Sequence, residues 1–360
     1  MTDKFQEVGI LKTVWNKDKD GKWGIGGFMP LTLRPKSGSD PEFFQFQSTM
    51  EKTSNWPVAF GSYGSLTTFG DTDLLLKQSI VPVVSWVDGD ASIRCIGTGF
   101  MVSCTGRVIT ASHVFLDPYD RKQATVSRED NIIKFPDGMR FGVLIPLSPA
   151  TGHIGSIFYP FTECRCWGQW KESPLLHMKP EWNPLTDIAV CKIPRLPDGA
   201  GHQPLSLSLN SFIKGERAIA IGYAEMGDIA IEIRDGKPTV PKFAHNLYVS
   251  MGPVNNVFPN NHNEKVVFAP GPCFEFLAKI PGKMSGAPIF GSDEPRTMRE
   301  SRFFAAIVRG VVSTSSEASK HAYGAMVSPA MQLPLAGNMT LRTLMDSGNE
   351  GIPIVRGAGL

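Results

Sequence analysis

Three residues of this 360-residue sequence have the types and surroundings that nucleophilic catalysis requires: His113, Asp187 and Ser285. His113 and Asp187 each adjoin an apolar, strand-like segment, and Ser285 lies in a turn that reads Gly-Lys-Met-Ser-Gly-Ala-Pro. A serine hydroxyl is a poor nucleophile at neutral pH unless a neutral imidazole accepts its proton. The imidazole in turn needs a carboxylate that fixes its tautomer and stabilises the cation. The sequence therefore offers a nucleophile, a base and an orienting acid in the order His, Asp, Ser.

The surroundings of these residues supply two further considerations. A glycine-flanked turn around Ser285 can direct backbone N–H groups at a developing oxyanion. Asp117 and Asp120 are rival carboxylates, but they follow His113 within the same loop. We therefore expect Asp187 to be the partner of His113.

Composition excludes several classes of protein. The net charge of +2 and the lack of a long basic run argue against a nucleic-acid partner. The apolar runs are much shorter than the roughly 18 residues that a membrane span needs, so no membrane association is expected. The N-terminus is charged where a signal peptide would be apolar. Six cysteines do not make a disulfide scaffold, and we expect reduced thiols in a cytoplasmic protein.

The pattern of short apolar runs predicts the elements that must position these residues. With 36 glycines and 28 prolines the chain is rich in turns, which disfavours a helical bundle and favours many short strands. A helix is predicted after Asn338, where Leu341, Leu344 and Met345 follow helical spacing. The predicted strands are Ile80–Val87, Cys95–Val102, Arg107–Thr110, Ile188–Ile193, Ala218–Ile221, Phe274–Ala278, Pro288–Phe290 and Ala305–Val312.

These segments resemble the chymotrypsin-like (trypsin-fold) serine peptidases, in particular trypsin-like peptidases of the bacterial HtrA type. In that family G-T/S-G-F precedes a strand ending in T-A-x-H, D-I-A-V/L carries the aspartate, and G-x-S-G-x-P carries the nucleophile. The matching segments here are Thr98–Phe100, Thr110–His113, Asp187–Val190 and Lys283–Pro288. The resemblance covers roughly three quarters of the chain and includes no PDZ domain.

The resemblance implies an all-β fold of two six-stranded antiparallel barrels, with an N-terminal extension and a C-terminal helix. We expect an extension over residues 1–77, a peptidase domain over 78–346 with its barrel boundary near 200–210, and a tail over 347–360. The extension is interpreted either as a segment packed on the barrels or as a docking site for a regulatory partner.

The resemblance also assigns roles to residues. His113 would be the general base and then the general acid, Asp187 would orient it, and Ser285 would attack the scissile carbonyl. The amides of Lys283 and Ser285 would form the oxyanion hole. The residues that would bind the substrate are Ser313, Thr314 and Ser315 along its backbone, Gly324 at the far wall of the S1 pocket, and Lys279 at the pocket base unless that side chain faces solvent.

Two positions depart from the family pattern. Lys283 stands where the family has glycine, whose backbone angles lysine resists. Met284 replaces the aspartate that pairs with a newly cut N-terminus in secreted zymogens. Although Ile25-Gly26-Gly27 resembles such a new terminus, activation by cleavage is not predicted.

The expected function is that of a serine endopeptidase that cleaves protein substrates through an acyl-enzyme, with no metal and no organic cofactor. Uncontrolled proteolysis in the cytoplasm would be toxic, so gating or narrow specificity is expected. The alternatives are a catalytically inactive binding module and an esterase with the same triad. A zinc site at Cys164 and Cys166 with His153 or His177, and a disulfide between Cys95 and Cys104, are disfavoured.

Overall fold

Antiparallel strands dominate the computed structural model of the chain. The structure describes residues 8–35, 44–50, 76–116, 124–147, 155–172, 180–197, 200–224, 226–234, 236–241, 247–259, 269–293, 305–316 and 321–356. None of the helices in these segments is long and apolar enough to cross a membrane.

The first barrel, here called the N-terminal barrel, carries His113 and Asp187. Its antiparallel sheet runs in the order β11-β12-β6-β5-β4-β9-β10, and the short pair β7 and β8 lies beside it. Valine, isoleucine, phenylalanine and cysteine side chains from alternate positions of these strands form its core. The strands are β4 Ile80–Val87, β5 Ser92–Met101, β6 Arg107–Thr110, β7 Thr125–Val126, β8 Ile133–Lys134, β9 Met139–Pro146, β10 Ser156–Pro160, β11 Glu163–Lys171 and β12 Glu181–Lys192.

The second barrel, the C-terminal barrel, carries Ser285. Six antiparallel strands close it in the order β14-β18-β19-β22-β21-β20 and back to β14. Phe274 and Phe276 fill its interior from β19. The strands are β14 Arg217–Gly222, β18 Tyr248–Phe258, β19 Cys273–Leu277, β20 Pro288–Asp293, β21 Ala305–Ser316 and β22 His321–Met326. The predicted all-β, chymotrypsin-like fold is confirmed.

Three short strands between β14 and β18 leave the C-terminal barrel and join the other sheet. They are β15 Asp228–Ala230, β16 Glu232–Arg234 and β17 Lys237–Val240. β15 pairs with β5, and β17 pairs with β10. The sheet of the N-terminal barrel is therefore completed by residues that come later in the sequence.

The N-terminal segment also forms strands, which the sequence did not predict. They are β1 Val8–Lys17, β2 Trp23–Pro35 and β3 Phe44–Met50. β3 pairs with β18 and β1 pairs with β21, so both edges of this three-stranded unit contact the C-terminal barrel. At the hairpin tip the amide of Trp23 donates to the carbonyl of Gly348 at 2.9 Å.

The predicted C-terminal helix is confirmed as α2, Leu341–Asp346, which begins with a capping box between Thr340 and Thr343. Helix α1, His113–Leu116, is a single turn after β6. Two 3₁₀ turns precede α2, at Ser328–Gln332 and Ala336–Asn338.

Residues 350–356 connect the N-terminal barrel to the C-terminal barrel through β13, Leu207–Ser208. The Glu350 carboxylate lies 3.3 Å from an Arg107 guanidinium nitrogen and 3.1 Å from the Lys192 ammonium, and it accepts a short hydrogen bond from Thr105. The following strand β23, Ile354–Arg356, pairs with β13, which itself pairs with β21.

Candidate active site

A histidine–aspartate pair lies at the end of the N-terminal barrel that faces the C-terminal barrel. His113 begins α1 just after β6, and Asp187 lies in the neighbouring strand β12. The Nδ1 atom of His113 is 2.7 Å from Oδ2 of Asp187, and the His113 amide donates to Oδ1 at 3.0 Å. The imidazole is 39% exposed, whereas the carboxylate is 4% exposed. One edge of the ring is therefore fixed by a buried carboxylate while the ring remains accessible.

Two serine hydroxyls complete the surroundings of the Asp187 carboxylate. Ser112 donates to Oδ1 at 2.8 Å, and Ser313 donates to Oδ2 at 2.5 Å. Burial alone raises the pKa of the Asp187 carboxyl. The charge of His113 and the hydrogen bonds from His113 and Ser313 outweigh that effect, and the pKa lies below its ordinary value. The carboxylate is consequently ionised at neutral pH and can stabilise an imidazolium.

Ser285 is held in its turn by contacts to both barrels. Gly286 has a φ of +87° and donates to the Val312 carbonyl at 2.8 Å, whereas the Ser285 carbonyl accepts from the Thr98 amide at 2.8 Å. A side chain at Gly97 would come within 2.9 Å of both the Ser285 carbonyl oxygen and Val114. The half-buried Ser285 and Val114, the residue after His113, therefore both lie close to Gly97.

Lys283 adopts the left-handed backbone conformation, with a φ of +76°. Only one other non-glycine residue among those described has a positive φ, namely Asn131. Over the described part of the chain, the amides of Lys283 and Ser285 donate no hydrogen bond to the protein. These two N–H groups in one turn can receive an anionic oxygen.

The residues predicted to bind substrate occupy different surroundings. Ser313 is buried and bonded to Asp187, and Thr314 beside it on β21 is half-buried. The side chain of Ser315 lies outside the described residues. Gly324 faces the barrel interior, because a Cβ there would come within 2.5 Å of Phe274 and Ile289. Lys279 is exposed, and its carbonyl accepts a hydrogen bond from Ser250 at 2.5 Å.

The structure bears on some of the alternatives weighed from the sequence and leaves the others untested. Asp117, Asp120, His153 and His177 lie outside the described residues. The described residues contain no group of three or more His, Cys, Asp or Glu that could hold a metal ion. All six cysteines are buried free thiols: Cys95, Cys104, Cys164, Cys166, Cys191 and Cys273. Burial raises the pKa of Cys166 to about 12, which disfavours the thiolate that zinc needs.

Two residues of this site were missed by the sequence analysis as functional groups. Ser112 occupies the variable position of the T-A-x-H segment, and Thr98 occupies the T/S position of G-T/S-G-F. Ser112 bonds to Asp187, and Thr98 bonds to the turn of Ser285. Their position within these two segments was the one available signal.

Comparison with known proteins connects this geometry to a family. The sequence model described as a trypsin-like peptidase domain matches residues 97–295, which is more than half of the chain. Comparison with curated proteins gave no significant match.

Two solved structures are among those similar to the chain. One is the protease Anisep from Arthrobacter nicotinovorans, at 13% identity and a TM-score of 0.38, covering 69% of this chain and 90% of that one. The other is Deg5, at 14% identity and a TM-score of 0.38, covering 73% of this chain and 91% of that one.

Proposed function

Because this chain belongs to the trypsin-like peptidase domain family, we propose that it is a serine endopeptidase whose triad is His113, Asp187 and Ser285. The observation that carries the proposal is the buried Asp187 carboxylate, which accepts from His113 Nδ1 at 2.7 Å and leaves the imidazole exposed. An aspartate in this relation to a histidine fixes the tautomer whose Nε2 can accept a proton.

The proposed reaction is acyl transfer in two steps. Ser285 Oγ attacks the scissile carbonyl carbon while His113 takes the hydroxyl proton, and the imidazolium then protonates the leaving amine. Water then attacks the resulting ester with His113 again as the base, and the imidazolium returns the proton to Ser285 Oγ as the ester bond breaks and the new carboxylic acid leaves. The amides of Lys283 and Ser285 stabilise the oxyanion in both steps, a role supported by the left-handed turn that leaves both N–H groups without a partner in the described chain.

The proposed substrate is an extended segment of a protein. Its backbone would pair along Ser313, Thr314 and Ser315, and its P1 side chain would enter a pocket bounded by β21 and β22 near Gly324. The exposure of Lys279 supports a role at the rim rather than at the base of that pocket. We further propose gated or narrow cleavage in the cytoplasm, with the N-terminal extension over residues 1–77 as the site for a regulatory partner.

Labelling with a fluorophosphonate probe tests the proposal directly. The wild-type protein is expected to be labelled on Ser285, and Ser285→Ala is expected to lose labelling and turnover of unfolded protein substrates. Ser211→Ala, which changes an exposed serine after β13, is the matched control and should label like wild type. Labelling of Ser285→Ala at the wild-type rate would overturn the assignment. Absence of labelling in every variant would leave two interpretations, an inactive binding module or a site that stays closed until a partner binds.

A further inference from the structure

Lys283 poses a physical problem, because it holds an oxyanion-hole position in a backbone conformation that favours glycine. Its φ of +76° brings the Cβ close to the following carbonyl oxygen, a clash that glycine avoids. A residue in this region persists when its surroundings fix the backbone from outside. The contacts of the Lys283 peptide therefore show what fixes it.

The hydroxyl of Thr98 makes that contact. Thr98 Oγ1 accepts from the Tyr223 amide at 3.0 Å and donates to the Lys283 carbonyl at 2.9 Å, which is nearer than its other possible acceptor, the Tyr223 carbonyl at 3.4 Å. Thr98 lies on β5 of the N-terminal barrel and is fully buried. We propose that Thr98 is a positioning residue, whose hydroxyl holds Lys283 left-handed and so keeps the Lys283 N–H directed at the oxyanion. This inference rests on the proposed peptidase function for its catalytic consequence.

The geometry explains why one hydroxyl is sufficient to hold Lys283 in the left-handed conformation. The φ angle of Lys283 relates its own N–H to its own carbonyl, so rotation to the usual negative φ would separate the carbonyl from Thr98. The turn is anchored again two residues later, where the Thr98 amide donates to the Ser285 carbonyl at 2.8 Å. Both contacts come from the same residue, so the Lys283 and Ser285 amides are held in a fixed relation.

Thr98 also connects this turn to the strand of the base. Its carbonyl accepts from the Thr110 hydroxyl at 2.7 Å, three residues before His113. The oxyanion turn and the histidine segment are therefore both bonded to one buried residue of β5. A hydroxyl at this position is better suited than an apolar side chain of equal size, because valine could neither donate to Lys283 nor accept from Tyr223.

A double-mutant cycle between Thr98→Val and Lys283→Gly tests the proposal. Glycine adopts positive φ without help, so it removes the need for the hydroxyl. The readouts are the rate of fluorophosphonate labelling, whose adduct places a phosphoryl oxygen in the oxyanion hole, and kcat and KM for a peptide. When Lys283 is retained, Thr98→Val should slow labelling and lower kcat about 10- to 100-fold, with KM nearly unchanged. When Thr98→Val is combined with Lys283→Gly, the loss relative to Lys283→Gly alone should be about 3-fold or less.

The cycle distinguishes positioning from a general structural role. Loss of the acceptor for Tyr223 lowers stability equally in both backgrounds and cancels in the cycle. Thr98→Ser keeps the hydroxyl and should restore most of the rate. Equal losses of rate with lysine and with glycine at position 283 would overturn the proposal.

A parallel cycle in urea unfolding separates failure of this proposal from failure of the proposed function. If no variant reacts with the probe, because the site is inactive or closed, the catalytic readouts of both proposals are lost. The unfolding cycle then still decides whether Thr98 holds the turn. A larger destabilisation by Thr98→Val with Lys283 retained than in the Lys283→Gly background supports the proposal, and additive effects overturn it.

Discussion

Ser313 donates its hydroxyl proton to the same Asp187 oxygen that receives His113 Nδ1, at 2.5 and 2.7 Å respectively. Asp187 belongs to the N-terminal barrel and Ser313 to the C-terminal barrel. The register of β21 against β22 shifts between Val312 and Thr314, so Ser313 is the extra residue of a β-bulge. Bulges redirect a side chain out of the regular alternation, and here the redirected hydroxyl connects the two barrels at the carboxylate.

Removing that hydroxyl should weaken catalysis without affecting substrate binding. Ser313→Ala deletes a hydrogen bond to a buried charge, which is worth about 1.5–3 kcal/mol. We expect kcat to fall by about 10- to 100-fold and KM to change by less than about 2-fold, measured on a peptide substrate. The exposed-site variant Ser211→Ala should match wild type. An unchanged kcat in Ser313→Ala would show that Ser112 and His113 suffice to hold the carboxylate.

Replacing the carboxylate by an amide should be more severe. Asp187→Asn preserves shape but favours the tautomer of His113 that cannot accept the serine proton, an effect worth about 10⁴ in kcat in the same constellation elsewhere. The melting temperature should change little by comparison with the rate. Combining Asp187→Asn with Ser285→Ala should cost little beyond Ser285→Ala alone, because the residues act as a unit. Additive losses would contradict a shared mechanism.

Two glycines of the nucleophile turn should differ sharply in their tolerance of alanine. A Cβ at Gly286 would clash with the Thr98 carbonyl oxygen, and the φ of this glycine is +87°. Gly286→Ala should therefore lower the free energy of unfolding by about 3 kcal/mol or more. Gly282→Ala meets no atom within 4 Å and should change stability by less than about 0.5 kcal/mol. Urea unfolding of both variants measures the contrast, and equal effects would contradict the described turn.

Glu350 should make the stability of the fold depend on acid pH. Burial raises the pKa of its carboxyl, but the charges of Arg107 and Lys192 and the Thr105 hydrogen bond outweigh burial and lower it. A folded pKa below the unfolded one gives stability that is complete above the unfolded value of about 4.3. That stability is lost as the pH falls through the folded pKa.

The variant Glu350→Gln isolates this contribution. At pH 7 its free energy of unfolding should be about 2–3 kcal/mol lower than that of the wild type, because Arg107 and Lys192 lose their carboxylate partner. The difference should narrow as the pH drops below about 4, where the wild-type carboxyl also becomes neutral. A difference that stays constant across this acid range would exclude the charge as its cause.

Strands with long apolar runs could be predicted from the sequence, because a buried strand must consist mainly of apolar residues. Ile80–Val87 and Arg107–Thr110 were predicted with the bounds that the structure shows. The strands of the N-terminal segment could not, since their pairing to β18 and β21 is determined by distant partners rather than by their own pattern. The three residues of β16 are all exposed, so no pattern of apolar residues marks this strand in the sequence.

The candidate site residues could also be predicted from the sequence, but the side chains that hold them in position could not. His113, Asp187 and Ser285 lie in segments with recognisable neighbours. The roles of Ser112 and Ser313 at the carboxylate depend on contacts 75 and 126 residues away in sequence. The conformation of Lys283 contradicts its own preference, and the hydroxyl that contacts its carbonyl belongs to Thr98, 185 residues away.

The pairing of β15 and β17 with the opposite barrel has a consequence for how the cleft can work. Residues 228–240 leave the C-terminal barrel to complete the N-terminal sheet, and residues 350–356 bridge the barrels again through Glu350 and β23. Opening the barrels like a hinge would strain these connecting segments, so we expect the two barrels to move little relative to each other.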